Sequence, residues 1–375
     1  MIPFLDLKSQ QSRLGPTLRA RIDAVLAHGQ FVLGPEVLEL ERQLAAYAGA
    51  AHCVSVSSGT DALQIALMAE NIGRGHAVFL PAFTYTATAE VPLVLGATPV
   101  FVDVDPHTFQ IDPDDLQRRI ASIKAQATLK PRALIGVDLF GQPAPWPRLR
   151  EIAAAENLFT LDDCAQSFGA SLSGRKLGRE AEATAISFFP SKPLGAYGDG
   201  GALLTDSEER AALYRSLRSH GEGTTRYDVL RTGMNGRLDT LQAAVLLSKL
   251  EIFEAELAAR ERVAAIYDAE LPAAITRPAR VPDSASAWAI YAVLLPDAAT
   301  RDRLQAGLKE RGVPTAIYYP KPLHHQPAYR ASHTGNPLPV AESLGSLILA
   351  LPIHPYLSDD QARHVCEAAA AALAT

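Results

Sequence analysis

The sequence has few cysteines and no long apolar run, and both features exclude classes of protein. Cys53, Cys164 and Cys366 lie far apart without a Cys-x-x-Cys pair, so neither a disulfide framework nor a zinc site is indicated. Such cysteine usage favours a reducing, cytoplasmic compartment. The segment 1–8 has an acidic residue where a signal peptide needs an apolar core, and no later run approaches membrane-spanning length. We therefore expect a protein that is neither secreted nor membrane-embedded.

The chain also lacks a surplus of basic residues, since its formal net charge is -6 at pH 7. No dense run of lysine and arginine offsets this charge, so a nucleic-acid partner is not expected. Its 375 residues, of which 48% are hydrophobic, can bury a sizeable core. The length and composition therefore predict a globular protein with two domains.

Apolar runs alternate with segments of helical periodicity over the first half of the chain, which is typical of parallel βαβ units. Such units place functional groups at the carboxyl ends of the strands. Residues 241–271 predict one long helix between two domains, and strands near 287–295 and 314–319 predict a smaller α/β unit. The strands of the larger unit are predicted at 53–56, 77–80, 98–104, 133–139, 158–161, 185–189 and 202–204.

Lys192 lies in a Pro-Ser-Lys-Pro sequence directly after the apolar run 185–189. Proline restricts the backbone on both sides, so this lysine cannot occupy the interior of a helix. An amine held on a stiff loop at a strand end is suited to forming a Schiff base. The alternative is a solvated loop lysine, and the tetrapeptide alone favours that alternative.

Two adjacent carboxylates, Asp162 and Asp163, follow the predicted strand 158–161. A buried acid in this apolar segment needs a cationic partner, which can be a ligand or an ordinary basic side chain. An aspartate followed about 30 residues later by a strand-end lysine is the pairing that a pyridoxal phosphate site requires, because the acid keeps the ring nitrogen protonated. Asp163 and Lys192 together therefore favour a cofactor site over two unrelated residues.

Two other segments fit such a site, although each has a structural alternative. Residues 58–61, Ser-Gly-Thr-Asp, join a predicted strand to a helix start, which suits a phosphate but is also an ordinary N-cap. Tyr85 follows another strand end and can cover a ring-shaped ligand or pack in the core. The pair His324-His325 predicts a loop and no metal site, because adjacent histidines point apart and no third ligand is spaced nearby.

Several separated motifs together resemble the DegT/StrS family of pyridoxal phosphate-dependent nucleotide-sugar aminotransferases. The resemblance runs from the sequence FLDL at 4–7 to PIHPY at 352–356. The motifs between these ends are SGTDAL at 58–63, PAFTY at 81–85, DCAQSFG at 163–169, FFPSKPLG at 188–195 and NGRLDTLQAA at 235–244. The match is specific because it rests on all of these motifs at once.

This resemblance implies the α/β, aspartate aminotransferase-like fold (fold type I of the pyridoxal phosphate enzymes). That fold has a large, mostly parallel sheet domain and a smaller C-terminal α/β domain, which we place at residues 1–245 and 246–375. The resemblance also implies a homodimer with two shared active sites.

By the same resemblance, Lys192 is similar to the lysine that forms the imine and shuttles protons, and Asp163 to the partner of the pyridinium nitrogen. Gln166 corresponds to the donor to the phenolic oxygen of the cofactor, and Tyr85 to the residue that stacks on its ring. The implied phosphate ligands are Gly59, Thr60, Ser187 and, from the neighbouring subunit, Asn235. The implied substrate contacts are His220, Arg226, Arg237, Tyr318 and Tyr319.

Within the family, residues 188–201 and 315–323 resemble the subgroup that aminates the 3-keto group of a UDP-linked N-acetylglucosamine-derived uronic acid, with glutamate as the donor. The implied pathway makes cell-surface polysaccharide, such as the O-antigen of lipopolysaccharide. Tyr318 departs from the pattern, because relatives typically have histidine before Tyr-Pro at this position near the sugar.

Two alternatives stay open. The substrate can instead be a dTDP-linked 3- or 4-keto-6-deoxy sugar, or the protein can bind pyridoxal phosphate and regulate without turnover. A dehydratase of the family is disfavoured, since those proteins replace the lysine and Lys192 is present.

Overall fold

A computed structural model describes residues 2–225, 227–332 and 336–374. The helices of these residues are α1 (Leu7–His28), α2 (Pro35–Ala48), α3 (Gly59–Ala69), α4 (Ala87–Val94), α5 (Pro113–Gln126), α6 (Trp146–Glu156), α7 (Glu208–Leu217), α8 (Thr240–Leu250), α9 (Phe253–Glu270), α10 (Ala298–Glu310), α11 (Pro339–Leu347) and α12 (Asp359–Leu373). No helix within the described ranges is long and apolar enough to cross a membrane.

The strands form one large sheet and two small ones. They are β1 (His52–Val56), β2 (His76–Pro81), β3 (Thr98–Val102), β4 (Lys130–Val137), β5 (Phe159–Asp163), β6 (Ser171–Leu172), β7 (Arg175–Lys176), β8 (Ala183–Ser187), β9 (Gly201–Thr205), β10 (Ser284–Ala285), β11 (Tyr291–Leu294) and β12 (Ile348–Leu351). The large sheet has seven strands in the order β1-β9-β8-β5-β4-β2-β3. Neighbours are parallel except at β9, which runs antiparallel to both β1 and β8. The predicted α/β fold with a mostly parallel sheet is confirmed.

Helices cover both faces of the large sheet, which explains why its strands are apolar along their length. In β1, Val54 and Val56 belong to one core cluster with residues of α3 and α7, whereas Cys53 belongs to another with residues of α2 and α8. This alternation follows from the two-residue period of a strand. The sheet is therefore a rigid layer whose strand ends can hold side chains in fixed positions.

The C-terminal part of the chain has its own apolar core, formed by residues of α9, α10, α12 and the antiparallel pair β11–β12. Ile2 packs in this same core, so the N-terminal segment contacts the last third of the chain. The predicted domain boundary after residue 245 falls within α8 and stays a prediction.

Two predicted elements were wrong. The helix over 241–271 is two helices, since α8 ends at Leu250 and α9 begins at Phe253. Phe253, the first residue of α9, stacks on Phe168 at 5.8 Å, a tertiary contact that helical periodicity cannot reveal. The strand near 314–319 is reduced to a single bridge between Ala316 and Ala350, and the main partner of β11 is β12, which pattern reading missed.

Candidate functional site

The carboxyl ends of β1, β2, β5 and β8 surround a cavity of about 460 Å³. A cleft at the carboxyl ends of strands is where ligands bind in open α/β sheets. The predicted site residues that line this cavity are Gly59, Thr60, Tyr85, Asp163, Gln166, Ser187, Lys192, Tyr318 and Tyr319. The fold therefore brings together residues that are up to about 260 positions apart, from Gly59 to Tyr319.

Lys192 is held on a tight turn just after β8. Its backbone N–H donates to the carbonyl of Phe189 at 2.8 Å. Gly195 closes the turn, where an added Cβ would lie 2.5 Å from the carbonyl oxygen of Pro190. Burial lowers the pKa of the Lys192 amine, while attraction to the Asp163 carboxylate opposes this shift. A larger fraction of the amine is therefore unprotonated and nucleophilic at neutral pH than for an exposed lysine.

Asp163 closes β5 and is only 6% exposed. Its two oxygens accept hydrogen bonds from the Thr88 hydroxyl at 2.9 Å and the Ala165 N–H at 3.3 Å. Burial raises the pKa of the Asp163 carboxyl, and the Thr88 bond, the Lys192 charge and the Ala165 bond lower it. For both Asp163 and Lys192 the loss of water dominates, so a cationic ligand group beside Asp163 would favour its ionised form.

Gln166 has a defined orientation because both ends of its amide are engaged. Its Oε1 accepts from the Phe140 N–H at 2.8 Å, and its Nε2 donates to the Tyr319 hydroxyl at 3.1 Å. The ring of Tyr319 in turn lies 5.9 Å from that of Phe83 and 6.3 Å from that of Tyr85, which is 55% exposed. The cavity thus has an aromatic wall beside an amide whose direction is fixed by the backbone.

The start of α3 lies against the end of β8. Ser58 caps this helix, since its Oγ accepts from the Asp61 N–H at 3.0 Å. The first N–H groups of a helix lack intrahelical partners, so those of Gly59 and Thr60 point ahead of the helix together with its positive dipole end. A Cβ at Gly59 would meet the Cβ of Ser187 at 2.6 Å, which shows how closely the Ser187 side chain approaches this end. Backbone donors and a hydroxyl converge here, as an anion requires.

Three predicted residues do not line the cavity of their own chain: His220, Asn235 and Arg237. Asn235 and His220 are exposed, and Arg237 donates through Nη2 to the Asn235 Oδ1 at 2.7 Å. The predicted substrate contact Arg226 lies outside the described residues. The segment that carries these side chains follows α7 and leads to α8.

Sequence reasoning missed several residues of the cavity, among them Phe4, Thr84, Phe189 and Asp199. It also missed Thr88, which binds Asp163 from the first turn of α4. A Thr after the PAFTY motif is a weak signal, because it gains its role only through the packing of α4 beside β5.

One carboxylate lies near His324-His325 in the fold although none is spaced near the pair in the sequence, and the absence of a metal site stays a prediction. Glu342, in the first turn of α11, has its Oε1 3.3 Å from His324 Nε2, and single ligand atoms of the three residues lie within 4.8 Å of one another. Sequence spacing could not show this, since Glu342 comes from another element. The same Oε1 accepts from the Leu338 N–H at 3.2 Å, so Glu342 also has a structural role at the start of α11.

Comparison with known proteins identifies the family to which this site belongs. The model of the DegT/DnrJ/EryC1/StrS aminotransferase family matches residues 13–370. The chain is 46% identical to a UDP-2-acetamido-2-deoxy-3-oxo-D-glucuronate aminotransferase of Pseudomonas aeruginosa, over 98% of this chain and 99% of that one. It is 38% identical to a pleiotropic regulatory protein of Geobacillus stearothermophilus, over 98% and 97% of the two chains. It is 39% identical to a dTDP-3-amino-3,4,6-trideoxy-alpha-D-glucose transaminase of Streptomyces venezuelae, over 98% and 95%.

Solved structures of aminotransferases superpose closely on this chain. A DegT DnrJ EryC1 StrS aminotransferase from Brucella abortus is 45% identical and superposes with a TM-score of 0.96 over 99% of both chains. The PLP form of a putative sugar aminotransferase, Spr1654 from Streptococcus pneumoniae, is 25% identical and superposes with a TM-score of 0.87 over 96% of both chains.

The cavity fits pyridoxal phosphate on its own chemistry. It combines a partly buried amine whose pKa is lowered, a buried carboxylate that a cationic ring would satisfy, an oriented amide, and a helix start beside a hydroxyl for the phosphate. The resemblance found from the motifs is confirmed: the chain belongs to the DegT/DnrJ/EryC1/StrS aminotransferase family and is a pyridoxal phosphate-dependent enzyme.

Proposed function

We propose that the protein transfers an amino group from glutamate to the 3-keto group of UDP-2-acetamido-2-deoxy-3-oxo-glucuronic acid, for cell-surface polysaccharide such as O-antigen. The observation that carries the transfer chemistry is the pairing of the Lys192 amine with the buried Asp163 carboxylate in one cavity. The similarity to the Pseudomonas aeruginosa enzyme over both full lengths supports the choice of sugar.

Pyridoxal phosphate, when bound, supplies the electron sink that lets an amino group leave one carbon and enter another. Lys192 would hold it covalently and carry the proton that moves during transfer, for which a lowered pKa is suited. Asp163 would keep the ring nitrogen protonated, and Gln166 would donate to the phenolic oxygen. Tyr85 would cover one face of the ring.

The phosphate would lie at the start of α3. There the N–H groups of Gly59 and Thr60 and the Ser187 hydroxyl supply neutral donors, so they grip the phosphate without competing for Asp163. The tight approach of Ser187 to Gly59 excludes a side chain at position 59 and leaves the backbone accessible to the anion.

The homodimer with shared sites belongs to this proposal. Lys192 is the sole basic side chain among the described residues that line the cavity, whereas a UDP-uronic acid and glutamate carry several negative charges. A second subunit would supply Asn235, Arg237, His220 and Arg226 to the cavity of its neighbour. Exposed apolar side chains near this segment support such an interface, namely Phe31, Val32, Tyr227, Val229 and Leu230.

Tyr318 and Tyr319 would contact the sugar from the aromatic wall. A cytoplasmic location also stays part of the proposal, supported by three cysteines that are all free and buried.

A dTDP-linked keto-6-deoxy sugar is the second candidate, which the transaminase of Streptomyces venezuelae supports. A non-catalytic regulator is the third, and the relative in Geobacillus stearothermophilus supports it through its name. The Lys192 amine beside the buried Asp163 carboxylate favours an enzyme over a protein that only binds the cofactor and regulates, because regulation does not require a reactive amine.

The test compares the amination of two keto sugars in the presence of glutamate, with release of 2-oxoglutarate as the readout. The 3-keto uronic acid is generated in place by its dehydrogenase, and a dTDP-4-keto-6-deoxy sugar serves as the competitor. We expect the uronic acid to react faster, because groups placed to bind a carboxylate stay unpaired with a deoxy sugar. Faster amination of the deoxy sugar would refute the proposal that the uronic acid is the substrate. Failure to aminate either sugar would favour the regulatory function.

A further inference from the structure

Two buried carboxyl groups meet on the face of β5 that points away from the cavity. Asp162 and Asp163 are consecutive in the strand, so their side chains point to opposite faces. Behind the sheet, Asp162 meets Asp138, at the end of β4, and the Cys164 thiol. All three are 0% exposed, and single ligand atoms of the three lie within 4.8 Å of one another.

The two carboxyl groups differ in the donors that surround them. Asp138 accepts from the Ala144 N–H at 2.7 Å, the Trp146 Nε1–H at 3.0 Å and the Ser167 hydroxyl at 2.9 Å. Asp162 Oδ2 accepts one long hydrogen bond, from the Thr184 hydroxyl at 3.4 Å. Its Oδ1 has no hydrogen-bond partner among the described residues. Asp138 is therefore equipped to carry a negative charge, and Asp162 is not.

Among the described residues, the charged groups that act most strongly on the pair are acidic. Asp163 lies on the other face of β5 and interacts with Lys192, Cys164 follows it, and the Glu180 carboxylate is already paired with Arg150 at 2.6 Å. Burial raises the pKa of both carboxyl groups, and for Asp162 the charges of Asp138, Asp163 and Glu180 add to the effect. Two full negative charges at this depth are not compatible with the surrounding residues.

We propose that Asp162 is a neutral carboxylic acid whose proton is shared with an ionised Asp138, and that this pair positions Asp163 and Gln166. The proton removes one buried charge and provides a donor where Asp162 has an unpartnered oxygen. The pair does not touch the cavity, so both members are positioning residues.

Three contacts connect the pair to the site. Asp138 accepts from the hydroxyl of Ser167, the residue after Gln166. The N–H of Asp138 donates to the carbonyl of Asp163 at 3.2 Å. The turn that Asp138 begins carries the Phe140 N–H, which orients the amide of Gln166. The positioning part rests on the proposed roles of Asp163 and Gln166, whereas the shared proton does not.

The shared proton has a direct test in Asp162→Asn, whose amide resembles the neutral acid in shape. The difference infrared spectrum of wild type minus variant, at neutral pH, should contain the carbonyl band of a protonated carboxyl group. Thermal unfolding gives a second readout. A folded state that keeps this proton binds more protons than the unfolded chain, so wild-type stability should fall as pH rises from about 5 to about 8.

In the variant this decline should be smaller, and the midpoint at about pH 8 should equal or exceed that of wild type. Absence of the infrared band, or a variant that is less stable than wild type at every pH, would contradict the proposal that the two acids share a proton. So would one equivalent of a divalent cation in metal analysis of the purified protein, because the cation would then replace the proton. These measurements need no substrate, so a negative result in them can be distinguished from a negative result in the test of the proposed function.

The positioning role is tested by Asp138→Asn in the cofactor-loaded enzyme with a sugar that it turns over. We expect kcat to fall about tenfold with KM within about threefold, since the affected groups act on the reacting centre. Ser167→Ala, which removes one donor and leaves both acids, provides the same kinetic readout where Asp138→Asn does not fold. An unchanged kcat in a folded variant of either kind would overturn the positioning role.

Discussion

The inner end of the cavity and the segment between α7 and α8 are built in opposite ways. At the inner end, Asp163 and Gln166 are each 6% exposed and every polar end has a partner in the same chain. In the outer segment His220 and Asn235 are exposed, and Tyr227, Val229 and Leu230 are 78%, 59% and 58% exposed. One region is complete within a single chain, and the other presents polar and apolar groups at its surface.

This difference separates two tasks. The inner end contains the amine and the carboxylate that the transfer of an amino group needs, whereas it contains little that would hold a diphosphate or a carboxylate of a substrate. Substitutions at the inner end should therefore abolish the transfer reaction in the subunit that carries them. Damage to the outer segment should instead weaken a site that, in our proposal, lies in the neighbouring subunit.

The largest effect is expected for Lys192→Ala, which removes both the covalent link and the proton carrier. Activity should fall about 10⁴-fold or more, because both contributions are lost together. The link itself is checked by borohydride reduction of the loaded protein and peptide mapping. Lys249 is the informative comparison, since it is buried and its pKa is likewise lowered, to about 8, but its amine donates to the Gly195 carbonyl. Cofactor found on Lys249 would contradict the assignment.

The next effect is expected for Asp163→Asn, which keeps the shape and removes the charge that holds a proton on the ring nitrogen. Turnover should fall about 10²- to 10³-fold, as for the loss of one preorganised electrostatic contact. Asp162→Asn is the matched control, because the two residues are neighbours on opposite faces of β5 and only Asp163 lines the cavity. Equal or reversed losses, measured as kcat for the pair of variants, would mean that the wrong aspartate was assigned.

The inner end was more accessible to sequence reading than the outer segment. Lys192 and Asp163 follow apolar runs that predict strands, Ser187 lies within one of these runs, and parallel strands bring their carboxyl ends to one edge. Their convergence was therefore predictable, and the motifs added Gln166 and the family. Thr88 and Phe4 were not predictable in the same way, since their places depend on how α4 and the N-terminal segment pack.

The outer segment shows where a single sequence is insufficient. Its glycines predict a loop, but this pattern is the same in a monomer and in a dimer. The sequence alone does not show whether a partner subunit buries the apolar residues of the loop. Likewise, the break between α8 and α9 was not predicted, and Phe253 at the start of α9 stacks on Phe168, a residue far away in the sequence. The roles assigned to Asn235, Arg237 and His220 remain predictions.

A mixed dimer sharpens the comparison between the two regions. Arg237→Ala should reduce activity about 10- to 100-fold if the guanidinium binds an anionic reactant of the neighbouring subunit. A purified dimer of one Lys192→Ala chain and one Arg237→Ala chain should then regain about half of wild-type activity, since one of its two sites has both residues intact. Two mass-tagged chains allow the mixed species to be isolated and assayed. Activity no higher than that of the two parent dimers would rule out a shared site.

The smallest effect is expected for Tyr318→Phe in the aromatic wall of the cavity. The Tyr318 ring lies 5.9 Å from that of Tyr319 and 6.4 Å from that of Phe4, and the substitution keeps these contacts while it removes the hydroxyl. A lost hydrogen bond between neutral groups should raise KM for the sugar about 3- to 10-fold and leave kcat within about twofold. Steady-state kinetics at varied sugar and fixed glutamate measure both constants. A fall in kcat with unchanged KM would instead place Tyr318 with the inner end, where groups act on the reacting centre through Tyr319 and Gln166.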